Sequence, residues 1–222
     1  QNIPRDTTAK DIKTMFIPPV GYGLLEVDYS QAELRIIAEL SEDAAMIDIF
    51  KKNYNIHVAT ACKMNGGLHL YDKVKGILKD NQHKDWLFWE KEKKKGKSLN
   101  FSIVYQQGPE ATAETLECSV DDANKFQKEW FKQFPMVQKY INKIKSNVKR
   151  DEFVMSMFGR KRRLPDANSP LQGFRSKAER DAVNAPVQGA SGDFTSLSEI
   201  VIRHEILLGN LPSDMFQAYT VH

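Results

Sequence analysis

What most restricts the fold is an imbalance of period along the chain. One short stretch, Gly21 to Asp28, is apolar, begins after glycines and runs into an aspartate, which is the form of a strand. Almost everything behind it carries helical spacing. Gln31 to Leu40 places apolar residues at Ala32, Leu34, Ile36, Ile37 and Leu40. Asp43 to Lys52 and His57 to Met64 read as further helices, closed by a Gly66-Gly67 break. Lys84 to Tyr105 is a long helix with a basic middle, and Gly96 is its weak point, costing roughly 1 kcal/mol against alanine. Ser119 is an N-cap for a helix to Phe134, with Asp121 and Asp122 in its first turn, and Pro135 opens the next, to about Arg150. Phe153 to Phe158 reads as a hairpin arm ending at Gly159, before the basic run Arg160 to Arg163 and a loop from Pro165 to Pro170. Ser176 to Ala185 and Gly189 to Leu208 are two helices, broken at Asn184-Ala185-Pro186. With a strand-like run from Met215 to Val221, the pattern predicts an α+β fold: a partial sheet holding a mostly helical insertion.

A chain of 222 residues suits one large domain or two lobes, and 41% hydrophobic with 27% charged residues is globular composition. Two cysteines exclude a disulfide scaffold and fit a reducing compartment. No apolar run nears the ~18–20 residues of a membrane helix, so no membrane partner is expected. The net charge of +3 permits nucleic acid without identifying it. The start at Gln1 and the stop at His222, directly after a strand-like run, lead us to expect a piece of a longer protein.

Asp28, at the end of an apolar strand, is placed to hold a divalent cation, although position alone favours the cap of the helix that starts near Gln31. Glu33 is divided in the same way, since the helix dipole favours an acid in the first turn. Lys97, Phe101 and Tyr105 share one helical face, drifting about 40° per step. A cation followed by two rings suits a nucleotide, whereas core aromatics beside a solvated lysine give the same pattern. Arg175, Arg180, Asn184 and Gln188 form a polar ladder suited to phosphates and base edges, or to structural ion pairs. The five histidines and two cysteines show no zinc spacing, and no P-loop or dinucleotide loop is present.

Together these blocks carry a resemblance. Asp28-Tyr29-Ser30-Gln31-Ala32-Glu33-Leu34-Arg35 closely resembles the first catalytic motif of family A, DNA polymerase I-like, DNA polymerases. Lys97-Ser98-Leu99-Asn100-Phe101-Ser102-Ile103-Val104-Tyr105 resembles that family's fingers helix, with its K-x-x-x-F-G-x-x-Y-G pattern. Ala178-Glu179-Arg180 through Asn184-Ala185-Pro186-Val187-Gln188-Gly189 is similar to a third block, and Phe158-Gly159-Arg160 with Pro165 to a fourth. The resemblance implies a right-hand fold, with residues 1–44 as the first part of the palm, 45–165 as fingers, and 166–222 as the junction and second part of the palm. It implies dNTP transfer to a primer 3′-end with two Mg²⁺ ions on Asp28 and the Tyr29 carbonyl. Lys97 would hold the triphosphate with His57 and Lys93, Phe101 would stack on the nucleotide, Tyr105 would lie by the templating base, and Glu33 would exclude a ribose 2′-hydroxyl. Gln31, Arg5, Arg180, Asn184, Gln188 and His222 would touch primer–template DNA.

Ser102 and Gln106 depart from the pattern by replacing glycines, with a stiffer helix or an altered template approach as the expectation. The family's last motif reads V-H-D, and Val221-His222 stands at the end of this sequence, so a C-terminal palm segment is an expected partner and the isolated piece is expected to be inactive. Two alternatives remain: a primer–template and nucleotide-binding fragment without catalysis, and a single-subunit RNA polymerase relative, which typically has glycine where this chain has Glu33. A cytoplasmic setting, bacterial or phage-infected, is expected, with an organelle as the second choice.

Overall fold

The computed structural model describes residues 17–25 and 27–215. They fall into two compact units, residues 31–191 and, separately, those up to Ser30 together with those from Gly192. The first holds, in order, α1 (Ala32–Ser41), α2 (Ala44–Lys51), α3 (Ile56–Met64), α4 (Tyr71–Ile77), α5 (Trp86–Val104), α6 (Pro109–Leu116), α7 (Val120–Gln133), α8 (Pro135–Asp151), β1 (Phe153–Met155) and β2 (Lys161–Arg163). The last helix, α9 (Gln172–Leu207), continues past its end. The strands pair antiparallel, with Phe153 opposite Arg163 and Met155 opposite Lys161. Among the described residues the protein is thus mostly helical with one two-stranded sheet.

Side chains placed at helix ends set most boundaries. Asp43 is buried and caps α2, its Oδ1 accepting from the Met46 N–H at 3.1 Å, while its Oδ2 accepts from the Met136 N–H at 3.0 Å at the start of α8. One carboxylate therefore satisfies donors at two helix N-termini. Asn55 caps α3 through the His57 and Val58 N–H groups, and Gln31 Oε1 takes the Ile56 N–H at 2.7 Å. Ser119 and Pro135 open α7 and α8 as their residue types predict. Leu34, Ile37, Met46, Ile49, Ile56, Leu99, Trp130 and Phe134 are fully buried in the main core. A smaller cluster of Val148, Val154, Leu164, Ala178 and Ala182 ties the hairpin to α8 and α9.

Three expectations change, and a fourth lies outside the described residues. Residues 21–25, 27 and 28 form no strand: Leu25 is 75% and Val27 79% exposed, and no described strand pairs with them. The late run from Met215 lies, beyond Met215 itself, outside the described residues. Asn184-Ala185-Pro186 does not break α9, which runs through Pro186 although the ring deprives the Ala182 carbonyl of its usual donor. The neighbours Ala182, Val183, Val187 and Ala190 are buried to within 1%, so packing of this stretch outweighs the lost bond. Gly96 is no weak point either. A Cβ there would lie 2.6 Å from the His57 carbonyl oxygen and 3.2 Å from the Ala61 nitrogen, so α5 meets α3 backbone to backbone. The helices α4 and α6, within stretches left unassigned above, are additions.

Candidate functional site

The outer face of α5 gathers the residues singled out along it. The lysine cluster divides by environment. Lys93 Nζ lies 3.2 Å from Glu90 and Lys95 Nζ 2.7 Å from Glu92, whereas Lys97 is exposed and has no carboxylate partner among the described residues. Lys97 Nζ stands 5.9 Å from the Phe101 ring centre, and Phe101 in turn stacks on Tyr105 at 5.9 Å and 14°. From α3, the His57 ring meets Phe101 at 5.7 Å. Tyr105 Oη donates to Glu33 Oε2 at 2.9 Å, linking α1 to the end of α5. Lys97, His57, Phe101, Tyr105 and Glu33 therefore form one continuous surface from three helices.

Its charge states follow from burial. Desolvation, then the cations Lys97 and Lys93, push the His57 imidazole down to about 4, so it is neutral at physiological pH. Desolvation and then the Glu33 carboxylate push the Tyr105 phenol up to about 12, which keeps its proton on the bond to Glu33. One open cation, a neutral imidazole, two stacked rings and an anchored carboxylate suit a ligand that is anionic at one end and flat at the other.

The two glycine replacements act locally. Ser102 is buried and its hydroxyl donates to the Leu99 carbonyl at 2.8 Å. Gln106 lies beyond the last residue of α5, at φ 53°, a left-handed conformation that costs a side-chain-bearing residue ~1–2 kcal/mol. Its Nε2 donates to the Ile103 carbonyl at 2.7 Å. A glycine at this position in the family pattern has this physical reason. Gln31 is likewise left-handed at φ 59°, and its side-chain oxygen holds the start of α3.

On α9, Arg180, Asn184 and Gln188 recur every four residues, with Arg180 and Gln188 exposed. Asn184 Oδ1 is buried with no hydrogen-bond partner among the described residues, a deficit of ~1–3 kcal/mol unless a ligand satisfies it. Gln188 and Gly189 face the basic hairpin across a cleft of about 520 Å³ lined also by Arg160, Lys161, Arg162 and Arg163. Arg175 leaves the ladder, donating to the Ser169 carbonyl at 2.9 Å.

Asp28 and Tyr29 belong to the other unit. Asp28 is exposed, and the Tyr29 hydroxyl is hydrogen-bonded to that of Ser198. A hard cation wants about six oxygen ligands, and no group of three or more acidic, histidine or cysteine side chains assembles among the described residues. Asp28 is thus one donor and does not by itself make a metal site. Arg5 and His222 lie outside the described residues. Sequence reasoning gave no role to Asn100, Thr60 or Trp130, which are buried behind His57, Thr60 and Trp130 each donating to Asn100 Oδ1. Their signal was faint: one amide between Leu99 and Phe101, and a tryptophan on an amphipathic helix.

Comparison with known proteins matches this arrangement to a single family. The pattern of DNA polymerase family A fits residues 1–222. DNA polymerase I of Caldicellulosiruptor bescii is 32% identical over 96% of the chain and 23% of its own length. The thermostable DNA polymerase I of Thermus aquaticus is 32% identical over 90% of the chain and 22% of its own length. The chain thus spans roughly a fifth of the length of such relatives. Among solved structures, the POL domain of Pol1 from M. smegmatis, in complex with DNA primer-template and dNTP, is similar with a TM-score of 0.77 and 27% identity, covering 95% of this chain and 35% of that one. Because the family pattern covers every residue, and relatives above 30% identity span nine-tenths of the chain or more, the chain belongs to DNA polymerase family A.

Proposed function

We propose that this chain is the nucleotide-selecting and primer–template-contacting part of a template-directed DNA polymerase, with 1–44 as the first part of the palm, 45–165 as fingers, and 166–222 as the fingers/palm junction and second part of the palm. The observation that carries the reading is the continuous surface of Lys97, His57, Phe101, Tyr105 and Glu33, whose cation complements the phosphates and whose rings complement the flat base of a deoxynucleoside triphosphate. The solved relative held with primer-template and dNTP supports both partners.

In this reading Lys97, the cluster's lysine that stands beside Phe101, holds the triphosphate, and the Phe101 face receives the nucleotide. Glu33, held by Tyr105, stands under the sugar, so a 2′-hydroxyl meets a fixed carboxylate. Arg180, Asn184 and Gln188 follow the duplex, and the orphaned Asn184 oxygen accepts a hydrogen bond there. Two magnesium ions, once bound with Asp28 as one ligand, would activate the primer hydroxyl and neutralise the leaving pyrophosphate.

Titrating dNTP into the protein and its lysine variants tests the reading. Removing a hydrogen-bonded charge of ~1.5–3 kcal/mol predicts a loss of affinity of roughly tenfold or more for Lys97→Ala. The exposed Lys91 and Lys94, elsewhere on the helix, should tolerate alanine with less than about twofold change. Equal losses in all three variants would refute the assignment of the face.

A further inference from the structure

Behind the nucleotide-facing surface lies a polar network that the proposed reading does not use. Asn100 is fully buried on α5, Trp130 on α7 is 1% exposed, and Thr60 sits one turn below His57 on α3. Trp130 Nε1 lies 2.7 Å from Asn100 Oδ1, Thr60 Oγ1 donates to the same oxygen at 3.0 Å, and Asn100 Nδ2 lies 3.0 Å from His57 Nδ1.

The proton positions follow from the chemistry of one partner. An indole N–H donates and cannot accept, so the amide atom facing Trp130 must be the oxygen. The Thr60 hydroxyl takes that oxygen's second lone pair. The NH₂ of Asn100 is therefore turned toward His57, and because NH₂ only donates, His57 Nδ1 must accept and carry no proton. A neutral imidazole in that position has its hydrogen on Nε2. Nε2 makes no hydrogen bond among the described residues and is not sealed from solvent. The charged groups acting on the ring are Lys97 and Lys93 of α5, while no carboxylate among the described residues lies within ion-pair reach to pull a proton onto Nδ1.

We propose that Asn100, oriented by Trp130, is a positioning residue that locks His57 as the uncharged Nε2–H tautomer, so that His57 offers a hydrogen-bond donor to the phosphates of the bound nucleotide. The phosphate half rests on the nucleotide reading above; the tautomer lock does not. The lock gives a phosphate a donor whose charge does not change across physiological pH, beside the permanent charge of Lys97.

The test is ¹⁵N–¹H long-range correlation spectroscopy of the His57 ring in the full chain, with dATP titration as a second readout. In the unmutated protein the ring should be protonated at Nε2 alone; an Nδ1–H tautomer or an even mixture overturns the lock. Asn100→Asp replaces the donor by a near-isosteric acceptor, so the proton should move to Nδ1 and the ring should titrate at a higher pH. Trp130→Phe keeps an aromatic ring without its N–H, should release the amide to turn, and should give a mixture of tautomers. It serves if the aspartate variant does not fold. Invariance of the tautomer in both folded variants overturns the lock. For Asn100→Asp at pH 8, where the ring is neutral with a bare Nε2, dATP affinity should fall at least tenfold. A moved tautomer with unchanged affinity upholds the lock and overturns the phosphate role.

Discussion

Residues 31–191 and the described residues outside them use apolar side chains in opposite ways. In the first region, Leu34, Ile37, Met46 and Ile56 lie within 1% of complete burial, and for Leu34 and Ile37 the helical spacing foretold the inward face. In the second, Leu25 is 75% and Val27 79% exposed, although the sequence around them is apolar. The contrast follows from where each element finds its hydrogen bonds. A helix satisfies its own backbone, so periodicity and caps suffice to define it. A strand exists only with a neighbour, and residues 21–25, 27 and 28 have no paired strand among the described residues.

The strongest way to break the comparison is at the close approach of α3 and α5. For Gly96→Ala, the new methyl would stand 2.6 Å from the His57 carbonyl oxygen, backbone that cannot swing aside as a side chain would. Overpacking ordinarily costs ~1–3 kcal/mol, and this variant should reach or exceed the upper end of that range in urea unfolding. Helix propensity alone predicts the opposite sign, a gain of about 1 kcal/mol. A stabilised variant would mean that the two helices do not touch here.

That reversal shows how far the sequence was legible. Helix starts at Ser119 and Pro135 could be read because capping is local chemistry. The shared face of Lys97, Phe101 and Tyr105 could be read because it is one helix's geometry. The contact of Tyr105 with Glu33, 72 residues apart, could not be read from spacing, which carries no information across that distance. Gly96, Pro186 and Asn100 were misread or passed over for one reason. Their roles are set by what packs against them, the His57 backbone, the buried neighbours on α9 and the indole of Trp130 respectively.

A smaller effect is expected from acid, and it sharpens the contrast within the site. His57 has a folded pKa of about 4 against an ordinary 6.5, so the unfolded chain binds the extra proton across that interval. Its contribution is fully present above about pH 6.5 and is lost as pH falls toward 4. At about 1.4 kcal/mol per tenfold, the two units from pH 6.5 to 4.5 are worth roughly 2.5–3 kcal/mol. Unfolding free energies from pH 7 to 4.5 should therefore fall more steeply for the unmutated protein than for His57→Gln, which keeps a polar side chain without a titrating ring. Parallel curves would place the imidazole in solvent rather than behind Phe101.

The smallest expected effect bears on the region where the strand did not form. Leu25→Ala removes a side chain that is three-quarters exposed and should change stability by less than about 0.5 kcal/mol. Leu34→Ala, the same chemical change at a residue 1% exposed, should cost about 2–5 kcal/mol through lost transfer energy and the cavity left behind. Because the deleted atoms are identical, and the helix propensities of leucine and alanine differ by only a few tenths of a kcal/mol, the ratio of the two losses measures burial free of any difference in polarity. A Leu25→Ala loss approaching that of Leu34→Ala would mean that this segment is covered in solution, and the separation drawn between the two regions would then fail at its clearest point.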